Sequence, residues 1–236
     1  MTEIWNFIHN QLLNLLLFLY NVLFQNLGLA VIALTVIIRT LLIPLTVPTL
    51  RGAKKMQELK PKLDELKRRH KDDKRRLQEE QMKLYKEHGV NPAAGCLPNI
   101  VQIVVLIALY QVFISTFGQA HLNVQFLWLK MTKPDPFFIL PISAGVTQLL
   151  LSKMMAPAIE KHPEETPKKE ESMEDMVYTM QSQMLYLMPL MTIVIGWQLP
   201  SGLVLYWFVT TLFSLVQQYF VSGLGGLKEW LKLIKR

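Results

Sequence analysis

The sequence predicts an all-α polytopic membrane protein: five transmembrane helices, a cytoplasmic helical hairpin and an N-terminal interfacial amphipathic helix. Three observations predict it. Of the 236 residues 51% are hydrophobic and 18% charged. Long charge-free stretches approach the ~20 residues that a helix needs to cross a bilayer core. The chain nevertheless carries a formal charge of +7, so its charges are confined to a few segments, as in membrane proteins. No separate globular domain is expected.

In residues 1–26, Glu3, Asn6, Asn10, Asn14, Asn21 and Gln25 recur at spacings of three, four or seven. That pattern gives a helix one polar stripe and lays it in the membrane interface, with Trp5 and Tyr20 at headgroup depth. No Lys or Arg precedes Arg39, which speaks against a secretory signal with a basic leading region. The first span is expected over 27–50, with Arg39 as its single charge.

Residues 51–90 read as the cytoplasmic hairpin. Met56, Leu59, Leu63 and Leu66 repeat at three and four, and Leu77 and Leu84 lie seven apart, giving two short helices one seam. Glu58 with Lys62, Asp64 with Arg68, Glu65 with Arg69, Asp72 with Arg76 and Glu79 with Lys83 place acid before base at i,i+4, which supports helix. The turn is expected near 70–73, and Gly89 before Asn91-Pro92 stops the second helix. A seam so short leaves the hairpin mobile relative to the spans.

The second span is expected over 97–117 and the third over 136–156, after Lys133-Pro134-Asp135-Pro136. A Pro-, Glu- and Lys-rich stretch, 157–176, reads as a flexible cytoplasmic loop. The fourth and fifth spans, 177–199 and 201–223, are separated by the tight turn Leu199-Pro200-Ser201-Gly202 and so must be antiparallel neighbours. A basic cytoplasmic tail, 224–236, carries Leu227, Trp230, Leu231 and Ile234 on one face, suited to the inner leaflet.

Orientation follows from the basic residues. Of 25 Lys and Arg, 14 lie between Arg51 and Lys86, four between Lys153 and Lys169 and four in the tail. Positive charge marks cytoplasmic segments, giving a multi-pass chain with N-terminus out and C-terminus in.

Arg39 is the most informative residue, because a charge within a span costs roughly 2.5–3.5 kcal/mol and needs a partner or water. The spans hold no Asp or Glu. Neutral polar groups are available instead: Thr35 one turn earlier, Gln102 in the second span, Gln148 in the third and Gln198 at the end of the fourth. Two readings stand. Arg39 faces a polar groove inside the bundle, or Pro44 and Pro48 end the helix early and the side chain reaches the cytoplasmic surface.

Catalytic chemistry finds no support. All five histidines fall outside the spans, and no intramembrane aspartate pair, His-Glu-x-x-His run or phosphate-binding loop occurs. The single cysteine, Cys96, excludes an internal disulfide and a multi-cysteine metal site. No enzyme, cofactor, metal or specific DNA partner is expected. Twelve methionines suit an adaptable apolar surface, core filling being the plainer account of each.

Several stretches together resemble the YidC family of membrane insertases, relatives of the Oxa-type mitochondrial and albino-type chloroplast insertases. They are 39–46 (Arg-Thr-Leu-Leu-Ile-Pro-Leu-Thr), 56–61, 84–86 with Val90-Asn91-Pro92, Gly95-Cys96-Leu97-Pro98, 135–141, Met188-Pro189, and 200–206 (Pro-Ser-Gly-Leu-Val-Leu-Tyr). They keep the family's order and spacing from Arg39 to about Gln218. The resemblance implies a five-span core around a hydrophilic groove, open to cytoplasm and lipid and closed outside. Arg39 matches the family's groove arginine, Thr35 and Trp207 match positions that meet substrate, and Gln148 matches a groove polar position. The short basic tail is a departure, as is the lack of a large extracytoplasmic domain within these residues.

The function so implied is that of a membrane protein insertase and chaperone in the bacterial cytoplasmic (inner) membrane. Its partners are nascent membrane proteins and the lipid bilayer, with the ribosome and the Sec translocon as further candidates. A small polar-cavity channel or transporter and a non-inserting assembly scaffold are the rivals; the lack of span carboxylates weighs against a coupled transporter.

Overall fold

The computed structural model describes residues 2–70, 73–90, 97–115, 122–155, 173–228 and 230. Eight helices occur among them: α1 (Thr2–Val22), α2 (Leu27–Leu41), α3 (Ile43–Arg69), α4 (Lys74–Glu87), α5 (Leu97–Ser115), α6 (Ile139–Met155), α7 (Met173–Gln198) and α8 (Ser201–Ser222). Between α5 and α6 the strands β1 (Gln125–Phe126) and β2 (Leu129–Lys130) pair antiparallel, Gln125 opposite Lys130 and Phe126 opposite Leu129. Apart from this ladder the described elements are helices, in keeping with the helical fold expected. The ladder is only two residues long on each side, with Leu127 at a φ of 52° in the turn, too short to show strand alternation in a sequence.

Helix α8 is the centre of the bundle, packing on α2, α3, α5, α6 and β2, while α1 packs on α2 and α5, and α7 on α6. The core joins Leu16 and Tyr20 of α1, Leu27, Val31 and Leu34 of α2, Leu109 and Phe113 of α5, and Leu203 and Tyr206 of α8. Tyr20 is buried in this core, and its hydroxyl accepts a hydrogen bond from the Asn123 backbone N–H at 2.8 Å. Asn6, Asn10, Asn14 and Asn21 are exposed on the same helix.

Among the described residues α8 alone is long and apolar enough to cross a membrane by itself. Helix α2 and the first part of α3 pass together, but as two arms bent by 64°; segments 101–114, 139–155 and 185–198 are apolar and shorter. The stretch expected as one straight span, 27–50, is thus broken at Leu42. Pro44, at the first turn of α3, lacks an N–H and cannot continue the ladder of α2. Helix α3 then runs to Arg69 through Pro48 and Pro61, so residues on both sides of position 51 belong to one continuous helix.

Four helix starts have a local cause. Asn26 caps α2 by accepting from Leu29 N, and Asp73 caps α4 by accepting from Arg76 N. Asp135, 2% exposed, accepts from Phe137 N at 3.0 Å, Leu140 N at 2.7 Å and Trp128 Nε1 at 3.2 Å, tying the β-hairpin to the head of α6. Pro200 precedes α8, whose first free N–H groups find partners outside the helix: Ser201 N donates to Lys133 O and Gly202 N to Met131 O. Helix α7 begins at Met173, inside the stretch expected to be a loop; residues 156–172 and 231–236 lie outside the described residues, as do Asn91-Pro92 and Cys96.

Helices α3 and α4 pack together with Leu59 and Leu77 buried. Glu65 pairs with Arg69, whereas Glu79 lies 3.4 Å from Arg75 and Lys62 meets His88 Nε2 at 3.1 Å.

Candidate functional site

Arg39 lies on the last turn of α2, two residues before that helix ends. A guanidinium here has to satisfy several donors among apolar helices. It turns to α5, where Arg39 Nη2 donates to Gln102 Oε1 at 2.7 Å. The side chain is part-exposed, and α2 ends two residues after it. A cavity beside the pair is lined by Ile38, Leu42, Leu45, Thr46, Val101, Val105 and Tyr206 as well as by Arg39 and Gln102. Its water-accessible volume is about 10 Å³, close to the minimum that one water occupies.

The polar content of this cavity comes from four helices. Tyr206, buried on α8, stands beside Arg39, Gln102 and Thr210. Gln102 Nε2 and Thr210 Oγ1 are buried without a hydrogen bond of good geometry, although both side chains stand within reach of the Tyr206 hydroxyl. Buried polar atoms are nearly always paired, so such orphans mark a place where water or a ligand is needed. Thr46, at the start of α3, donates to Ile43 O at 3.3 Å and accepts from Gln217 Nε2 of α8 at 2.7 Å.

The five residues singled out from the sequence divide in two. Arg39 and Gln102 are brought together. Thr35 is fully buried one turn away, but its hydroxyl donates back to Val31 O at 2.6 Å and is not offered to the cavity. Gln148 on α6 and Trp207 on α8 are half-buried and do not line the cavity. Tyr206, Thr46, Thr210 and Gln217 were not singled out. A signal existed for two of them: Tyr206 and Thr210 stand at i,i+4 on α8, one face of a helix. Gln198, a further neutral candidate, is exposed at the end of α7.

A second unanticipated feature is Lys153 at the end of α6. It is 4% exposed, donates to the Tyr186 hydroxyl of α7, and its Nζ lies 4.2 Å from the Tyr186 ring centre and 5.6 Å from that of Trp230. Among the described residues no group of three His, Cys, Asp or Glu side chains could hold a metal ion.

The chain matches the model of the family described as 60Kd inner membrane protein over residues 18–225. It is 35% identical over 224 residues to a Fusobacterium nucleatum protein named membrane protein insertase YidC, covering 94% of this chain and 100% of that one. It is 36% identical to membrane protein insertase YidC 1 of Halalkalibacterium halodurans, over 89% of this chain and 75% of that one. To membrane protein insertase MisCA of Bacillus subtilis it is also 36% identical, over 84% and 71%. A crystal structure of an active YidC insertase with its first transmembrane domain resolved superposes with a TM-score of 0.67 at 24% identity, over 92% of this chain and 46% of that one, a likeness of fold.

Proposed function

We propose that this chain, which belongs to the YidC family of membrane protein insertases, moves weakly hydrophobic segments of nascent membrane proteins from the cytoplasm into the bilayer by way of the polar cavity at Arg39. The observation that carries the proposal is the Arg39–Gln102 pair, a cation held by a neutral partner beside buried polar atoms that lack one. A substrate carboxylate or polar tail offers Arg39 a stronger, charge-assisted bond than an amide oxygen does. The polar atoms around it shorten the apolar distance that the tail must cross. The hydrophobic segment then passes into lipid, driven by burial of its apolar surface and by the membrane potential acting on the tail.

In this reading the bundle spans the membrane five times, N-terminus out and C-terminus in, with α1 at the interface. The clustering of 14 Lys and Arg between Arg51 and Lys86 supports it. The α3–α4 pair is the cytoplasmic hairpin that meets the nascent chain. The second and third spans are joined outside by the β-hairpin. Thr35, Gln148 and Trp207 are the positions where substrate passes from the cavity to the lipid. The ribosome and the Sec translocon are partners on the cytoplasmic and lateral sides.

The test is insertion, in proteoliposomes holding this chain alone, of a single-span substrate with an acidic tail. Arg39→Ala is expected to reduce insertion by about tenfold or more, the scale of one charge-assisted hydrogen bond, and Arg39→Lys by less. Full activity of both variants sinks the electrostatic role. Photo-crosslinking of a ribosome-bound nascent chain from positions 35, 39, 148 and 207 tests the path; no crosslink from any of the four would move the function to a channel or scaffold.

A further inference from the structure

An amphipathic tail lying on the inner leaflet would turn Leu227 and Trp230 toward lipid. The chain instead brings both toward the protein. At the end of α8, Gly223 takes a φ of 69° and donates its N–H to Tyr219 O at 2.8 Å, which closes the helix and turns the chain out of it. Gly225, with a φ of 48°, then lies so close to the end of α6 that a Cβ on it would overlap Met154 O. Only glycine meets both conditions. Two residues on, Leu227 is 8% exposed, and Trp230 is half-buried.

Lys153 precedes Met154 on the last turn of α6 and is itself buried. Its Nζ donates to the Tyr186 hydroxyl of α7, and it lies 4.2 Å from the centre of that ring and 5.6 Å from the centre of the Trp230 ring. Among the described residues no carboxylate pairs with it. A buried ammonium without a counter-ion is costly, and aromatic faces supply negative potential that offsets part of the cost. One cation thus links three elements: α6, which carries it, α7 and the tail.

We infer that Lys153 anchors a docking site for the chain's own tail: the cation, held against α7 by Tyr186, receives the Trp230 ring, while Gly225 seats on Met154. The place of the tail is then set by the protein and not by the lipid surface. The basic residues that begin with the exposed Lys228 start from a fixed point at the ends of α6 and α8. Lys153 acts here as a positioning residue. Loss of one such cation–ring contact shifts the balance between docked and free tail by about five- to tenfold.

The test is amide hydrogen exchange of the full chain in nanodiscs, read at residues 224–228, with 203–211 of α8 as the internal reference. In phosphatidylcholine alone the tail amides of the parent are expected to be protected. Lys153→Met, which keeps an unbranched stem and removes the charge, is expected to speed their exchange about five- to tenfold and leave the reference unchanged. Trp230→Leu should do the same, and the double variant should exchange no faster than either single one, because both remove one interaction. Tail protection that Lys153→Met leaves intact overturns the inference, as do additive effects of the two substitutions. Protection that appears only when phosphatidylglycerol is added means that the tail rests on anionic headgroups, and overturns it too. If Lys153→Met also speeds the reference, the bundle itself has loosened, and two variants on the tail decide: Trp230→Leu, and Gly225→Val, which sets a branched side chain against Met154 O. Failure of both to speed the tail amides overturns the docking site.

Discussion

The two ends of the bundle are held by different kinds of contact. At the end formed by residues 122–135 and the head of α8, the chain is joined through its backbone. Ser201 N and Oγ both donate to Lys133 O, Gly202 N donates to Met131 O, and Asp135 accepts from three donors. A Cβ on Gly202 would overlap the Phe113 ring, and one on Gly28 the Phe126 ring. At the other end, where α2 turns into α3 and α3 packs on α4, the polar links between helices among the described residues are side chain to side chain: Thr46 with Gln217 and Lys62 with His88. Backbone bonds and glycine contacts have no low-cost alternative, whereas an exposed side-chain pair such as Lys62 with His88 exchanges with water. The difference predicts that the first end resists opening more than the second.

The comparison can be broken most forcefully at Gly202. Gly202→Val adds three carbons where even one would meet Phe113, so a loss of about 3 kcal/mol or failure to fold is expected. Thermal unfolding in detergent reads it; a melting temperature unchanged from the parent would mean that the capped end is not rigid. Asp135→Ala comes next, leaving the indole N–H of Trp128 and two backbone N–H groups without their acceptor, at about 2–3 kcal/mol. Asp135→Asn keeps one acceptor oxygen and is expected to lose about half as much. Thr46→Val removes one neutral bond and should lower stability by about 1 kcal/mol, a cost smaller than either change at the capped end.

What could be foreseen from sequence follows the same division. The helical character, the membrane composition and the family resemblance rest on long apolar runs and motifs, which are local and survive any packing. The pairing of Arg39 with a neutral residue was legible too, because a charge with no carboxylate in any span has few alternatives. Tyr206, Thr46 and Gln217 were not, since helix rotation decides which polar side chains converge, and one apolar helix reads much like another. The break at Leu42 was half legible: Pro44 announced the end of α2, while the helical continuation into α3 depends on packing against α8. Gln102 was one of four neutral candidates, and only the fold shows that it, rather than Gln148 or Gln198, meets Arg39.

The smallest effect is expected in the α3–α4 pair, and it sharpens the comparison because it concerns what holds that end together. Glu65 and Arg69 form an i,i+4 pair whose side chains are 60% and 67% exposed. Such a pair contributes about 0.5 kcal/mol or less and is screened by salt. Glu65→Ala should therefore leave the unfolding of the whole bundle unchanged within error, and raising the salt concentration should have no larger effect on the parent than on the variant. Leu59 and Leu77, which are buried, carry the contact between the two helices instead; Leu59→Ala should loosen it measurably, seen as faster amide exchange in α3 and α4 with α8 unaffected. If Glu65→Ala alone produced that faster exchange, the pair would be held by charge. A hairpin so held would loosen as ionic strength rises.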